Sequence, residues 1–66
     1  MSDHAVHTVP GEGMWLNEVA ARQVGERYPN RDEAVAAGRA EAAERHVEHH
    51  IHDEHGVLNR TESYSS

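Results

Sequence analysis

The chain contains no cysteine, no lysine and no phenylalanine. Without cysteine there is no disulfide framework, no thiolate nucleophile and no Cys-based zinc ribbon. No apolar run is long enough for a membrane-spanning helix. The first residues, Met1-Ser2-Asp3-His4, are acidic and lack the apolar stretch of a signal peptide, so a soluble cytoplasmic protein with no membrane partner is expected. Without lysine, the positive charge rests on six arginines against 12 acidic residues, a formal net charge of −6. Nucleic-acid binders neutralise phosphates with clustered cations. Here Arg22, Arg27, Arg31, Arg39, Arg45 and Arg60 are dispersed, which disfavours a broad basic face. Nucleophile elbow, phosphate-cradling glycine loop and HExxH motif are all missing. Gly11-Glu12-Gly13 is followed by neither a lysine nor a helix start, so it reads as a turn. The expectation is a non-enzyme without a cofactor.

What the chain does hold fits one domain, residues 1–66, with an ordered core at about 6–64 and short disordered tails. Residues 6–10 are rich in β-branched side chains and stop at Pro10, as a short strand does. Met14 to Val19 reads as the returning strand of a hairpin, with Trp15, Asn17 and Val19 sharing the face favoured for the core. Ala20-Ala21 is a possible turn, and residues 22–28 a possible third strand in which Gly25 marks a bulge. The sharpest local signal is Pro29-Asn30-Arg31-Asp32-Glu33. Asn30 can accept the Glu33 backbone N–H, and Glu33 can reach back, as in a capping box. Asp32 and Glu33 also suit the positive end of a helix dipole. An Ala- and Glu-rich helix is therefore expected over residues 31–46, with Ala34, Val35, Ala37, Gly38 and Ala42 on one stripe and Arg39 and Glu44 in solvent.

Residues 47–53 alternate, with Val47, His49 and Ile51 on one face and Glu48, His50 and His52 on the other. Glu54-His55-Gly56 is a turn in which Gly56 needs positive φ. Residues 57–63 return, with Leu58, Arg60, Glu62 and Tyr64 assigned to one face. The expected fold class is α+β: a small antiparallel sheet of two hairpins, β-β-(β)-α-β-β, with one helix packed on one face.

The order His7-Thr8-Val9-Pro10, Trp15, Glu33-Ala34-Val35, His52-Asp53-Glu54-His55-Gly56-Val57-Leu58 and Ser63-Tyr64 resembles the small bacterial and archaeal family known as domain of unknown function 2188. The resemblance runs from about His7 to Tyr64. It implies a compact domain of one helix on a small sheet and carries no activity onto any residue. Family members usually hold an apolar residue where Asn17 stands and a glycine-containing turn where Ala20-Ala21 stands.

Seven histidines are many for this length, and His46, His49, His50, His52 and His55 fall close together. Imidazoles ligate zinc, nickel or copper. On a strand His50 and His52 share a face, with His55 in the next turn, so His50, His52 and His55 are the candidate metal ligands. A pH-sensing role is a further candidate for the cluster. His7 and His52 both sit at strand ends and could be neighbours, packed or bonded to a backbone carbonyl.

Trp15, Ile51, Leu58 and Tyr64 are candidate interface anchors, since aromatic and large apolar side chains dominate interfaces. So small a core favours association, and the leading expectation is an interaction module forming a homo-oligomer, a symmetric dimer, through a sheet edge or open face. The alternatives are nucleic-acid binding by a sheet-plus-helix surface, if Arg22, Arg27 and Arg60 cluster, and divalent-metal binding by the histidines.

Overall fold

In the computed structural model, which describes residues 4–65, the chain runs β1 Val6–Gly11, β2 Met14–Val19, β3 Arg22–Tyr28, α1 Arg31–Arg45, β4 Glu48–His52 and β5 Leu58–Ser63. The five strands form one sheet in the order β3-β2-β1-β4-β5. The class is α+β, and residues 22–28 are indeed a strand. Of the expected tails, residues 1–3 and 66 lie outside the described residues; Ala5 is buried and Ser63 belongs to β5.

Two tight turns join the first three strands. Glu12 and Gly13 take φ of 52° and 79°, and Ala20 and Ala21 take 52° and 64°. Positive φ at both central residues is the hairpin turn whose twist matches the strands, and it ordinarily selects Asn and Gly. Alanine there carries a Cβ penalty. In β3 the pairing slips opposite Leu16 and Asn17, so that Leu16 faces Arg27 while Asn17 faces Val24. Gly25, at φ 74°, is part of the bulge.

One expectation is corrected. The sheet is mixed rather than antiparallel, because β4 pairs parallel to β1, with Val6 beside His49, His7 beside His50 and Thr8 beside Ile51. The reason is parity. Three alternating strands leave the chain at the end opposite its start. The helix, 15 residues long, then carries it back. β4 must therefore run in the direction of β1. The two expected hairpins, β1–β2 and β4–β5, are both antiparallel as anticipated.

The helix begins as its sequence dictates. Asn30 is extended at φ −139°, and its side-chain oxygen accepts the Glu33 N–H at 2.9 Å. The Glu33 carboxylate bonds the Asn30 side-chain amide at 3.3 Å, not its backbone N–H, so the box closes between side chains. His46 caps the other end in the left-handed conformation at φ 57°, its N–H reaching the carbonyls of Ala42 and Ala43. Ala34, Gly38 and Ala42 are the buried stripe. Ala42 clusters with Val6 and Val19, with Val24, Val47 and Tyr64 packed around, and Gly38 lies over Thr8, Asn17 and His49. Small helix side chains let the backbone come close to the sheet. The helix lies over β1, β2, β3 and β4, leaving β5 outside its footprint.

Candidate functional site

Alternation sorts the sheet into two faces, and each carries polar groups. The face under the helix holds Val6, Thr8, Asn17, Val19, His49 and Ile51. Trp15, Asn17 and Val19 do share it, as expected. Thr8, Asn17 and His49 are nevertheless polar and almost fully buried, at 0%, 2% and 0% exposure. They satisfy one another. The Thr8 hydroxyl donates to Asn17 Oδ1 at 2.5 Å, and His49 Nε2 lies 2.6 Å from the same hydroxyl oxygen. The Asn17 amide donates to the Ala34 carbonyl at 3.0 Å, tying sheet to helix. Because the hydroxyl proton is already spent, His49 must donate from Nε2, and its Nδ1 is a buried acceptor with no partner among the described residues. Burial pushes the His49 imidazole below its ordinary pKa, with the Arg39, His50 and His7 charges acting in the same direction and Glu62 opposing.

The opposite face has no helix over it. Leu16 lies there above Gly11, where an added Cβ would stand 2.8 Å from Leu16 Cδ2. The face also carries His7, His50 and His52, brought together by the parallel pairing of β1 with β4. His7 Nδ1 and His52 Nε2 are 3.1 Å apart, and the His7 and His50 rings meet edge to face at 4.8 Å. The second nitrogen of His52, Nδ1, donates to the Gly56 carbonyl at 3.1 Å. His50 Nε2 is 2.9 Å from the Glu48 carboxylate. So the expected juxtaposition of His7 with His52 and the shared face of His50 and His52 are present. His55 is elsewhere: it sits in the turn after β4, facing a different surface. Among the described residues, no three His, Asp or Glu side chains converge to hold a metal ion.

His55 instead lines a shallow cleft of about 350 Å³ with Trp15, Arg31, Asp53, Glu54 and Asn59. The Arg31 guanidinium lies 5.8 Å over the Trp15 ring, donating to the His52 carbonyl at 3.2 Å and to Asn59 Oδ1 at 3.1 Å. The Asp53 carboxylate accepts the backbone N–H groups of Val57 and His55, which hold it below the usual carboxylate range. Arg31 was not singled out in the sequence. Its only signal is its place one residue after the helix cap.

The third feature is the outer strand β5. Ile51, expected at an interface, is 3% exposed beneath the helix; it is a core residue because it pairs beside Thr8 on the covered face. Leu58, by contrast, is 50% exposed and Val57 61%. Tyr64 is half-buried, its hydroxyl donating to Glu62 at 2.9 Å. Glu62 also takes a two-point ion pair from Arg39, at 3.0 and 3.2 Å, and a contact from Arg60 at 3.3 Å. Arg39 is thus an ion-pair partner and not merely solvated. The Arg39 and Tyr64 hydrogen bonds hold the Glu62 carboxyl down at about 2. The strand order puts Arg22 and Arg27 on one edge of the sheet and Arg60 on the other, so the three do not cluster. The described residues contain no helix long and apolar enough to cross a membrane.

The architecture is that of a minimal helix-on-sheet domain. Residues 6–64 match the family described as an uncharacterized protein conserved in bacteria (DUF2188), and the chain belongs to that family. No curated protein and no solved structure gave a significant match.

Proposed function

We propose that the protein is a non-enzymatic, cytoplasmic interaction module that forms a symmetric dimer by pairing the outer edges of two β5 strands. The observation that carries this reading is the state of β5 itself. It spans six residues, five of them exposed, and among the described residues it pairs only with β4; the helix backbone does not pack on it and reaches it only through the Arg31 and Arg39 side chains. A bare edge offers unpaired N–H and C=O groups to another strand. The opposite edge is blunted: β3 is bulged at Gly25 and carries Arg22, Glu26 and Arg27. On β5 the pairing slips only at its first residues, near Leu58.

The β5 sequence is complementary to itself. An antiparallel pair centred on Thr61 sets Arg60 of each copy opposite Glu62 of the other, twice by symmetry. Arg60 is 67% exposed and touches its own Glu62 at 3.3 Å, so pairing with a second copy exchanges that solvent-exposed contact for one across the seam, while Glu62 stays anchored by Arg39. The same register brings the exposed Leu58 of one copy toward the Tyr64 end of the other. Opposite charges directly across a strand pair contribute about 0.2–1 kcal/mol each, and like charges oppose pairing by similar amounts.

Sedimentation equilibrium tests the reading. The native chain is expected to dimerise, and Arg60→Glu to weaken the dimer about tenfold or more, since two attractive pairs become two repulsive ones. Arg22→Glu, on the other edge, should leave the dimer unchanged. A native chain that remains monomeric at millimolar concentration overturns the proposal, as does an Arg60→Glu variant that dimerises as well as the native chain.

A further inference from the structure

The geometry points to a divalent transition-metal site on the open face of the sheet, with His7 Nδ1 and His52 Nε2, already at chelating distance, as its first two donors and His50 as the third imidazole. Three observations carry it, none of which depends on the dimer.

First, the two nitrogens stand 3.1 Å apart. With metal–imidazole bonds of about 2.0–2.1 Å, that separation subtends an angle of roughly 100° at the ion, between square-planar and tetrahedral values. The spacing therefore already fits a shared ion, and each ring has to turn by roughly 40° to swing its lone pair from the neighbouring nitrogen onto that ion.

Second, the tautomer of His52 is already the one a ligand needs. Its Nδ1–H is given to the Gly56 carbonyl at 3.1 Å, which leaves the Nε2 lone pair directed at His7. A backbone carbonyl behind the imidazole is the usual support of a metal-bound histidine. In the metal-free state His7 Nδ1–H must be the donor between the two rings. On binding, the ion takes the place of that shared proton at His7 Nδ1, and a ring bound through Nδ1 carries its N–H at Nε2.

Third, His50 is oriented in the same way. Glu48 holds its Nε2 at 2.9 Å, a carboxylate behind an imidazole, which leaves Nδ1 for an ion. Its ring touches that of His7 at 4.8 Å, and β1–β4 pairing fixes them side by side. As placed, only two donors converge, so His50 joins by side-chain rotation and water completes the shell. An all-nitrogen set of this kind suits zinc, nickel or copper(II) rather than calcium or magnesium. His55, on the cleft surface, is outside the set.

Calorimetric titration of the full chain with zinc and with nickel tests the site. One ion per chain is expected. His7→Ala and His52→Ala should each weaken binding about tenfold or more, His50→Ala less, and His55→Ala not at all. The native chain provides a readout independent of variant folding. In long-range ¹H–¹⁵N spectra of the imidazoles, zinc should shift His7 Nδ1 and His52 Nε2 together and convert His7 to the Nε2–H tautomer. No binding overturns the inference. So does binding that survives His7→Ala and His52→Ala unchanged, or zinc shifts confined to other histidines.

Discussion

Gly38→Ala is the substitution for which secondary-structure preference and packing give opposite answers. In the interior of an exposed helix, alanine is more favourable than glycine by about 0.8–1.0 kcal/mol. Here an added Cβ would stand 2.5 Å from Asn17 Oδ1, 2.6 Å from His49 Nε2 and 2.8 Å from Thr8 Oγ1. None of these is the loose end of a long side chain; all three belong to buried residues bonded to one another. Either the helix lifts from the sheet or the polar cluster breaks. Overpacking costs about 1–3 kcal/mol, and each buried polar group left unpaired about 1–3 more. After the propensity gain, a net destabilisation of roughly 2–4 kcal/mol is expected. Small domains lose about 4–8 °C per kcal/mol, so the midpoint should fall by roughly 10 °C or more. Urea unfolding followed by Trp15 fluorescence measures the free-energy loss, and a thermal scan the midpoint, both at fixed chain concentration. A double-mutant cycle with Asn17→Ala should show strong coupling, because the shortened side chain removes the nearest clash. A stabilised Gly38→Ala variant would refute the close approach of helix to sheet.

Acid should weaken the fold in two stages. The His49 pKa is depressed by burial, so the unfolded chain takes up its proton first; stability falls as pH drops through 6.5 and continues to fall until the folded imidazole itself titrates, with a slope of at most about 1.4 kcal/mol per pH unit for one proton. Comparing native and His49→Gln chains by urea unfolding at several pH values isolates this stage, which should vanish in the variant. The Glu62 contribution is intact above 4.5 and is lost as pH falls toward 2, where Arg39 and Tyr64 hold the folded carboxyl. Replacing Ala20-Ala21 with Asn-Gly should raise stability by about 1 kcal/mol: relief of two left-handed alanines outweighs the extra chain entropy of glycine. An unchanged or lowered thermal midpoint would contradict that turn geometry. Asn30→Ala removes the cap on the Glu33 N–H and should cost about 1 kcal/mol, read as a midpoint lower by about 4–8 °C.

Features that depend on near neighbours were legible in the residues. The Asn30 cap, the Ala34–Gly38–Ala42 stripe and the positive φ of Gly56 each follow from a few positions of local chemistry. The alternation of β4 likewise separates His49 and Ile51 from His50 and His52. What depends on distant pairing was not. The third strand was obscured because Ala20-Ala21 lacks the usual turn residues, and without it the parity that makes β4 parallel to β1 cannot be worked out. That pairing assembles the histidines: it places His7 beside His50, whereas proximity in the chain points to His55. Asn17 carried a signal, a polar residue alternating with Trp15 and Val19, but its partners Thr8 and Ala34 come from two other elements, and His49, which joins the cluster through Thr8, from a third. The bulge opposite Ile51 and His52 shifts the β5 register, so Leu58 pairs with His52 while Arg60 pairs with Ile51, and the simple alternation assigned to that strand breaks there.

The most direct test of the account is amide hydrogen exchange across β5, residues 58–63, measured from low micromolar to millimolar chain concentration. Edge pairing requires alternate β5 amides to gain protection as concentration rises, while those of β3, residues 22–28, keep constant rates. Exchange in β5 that is independent of concentration, or protection that grows on β3 instead, would contradict it.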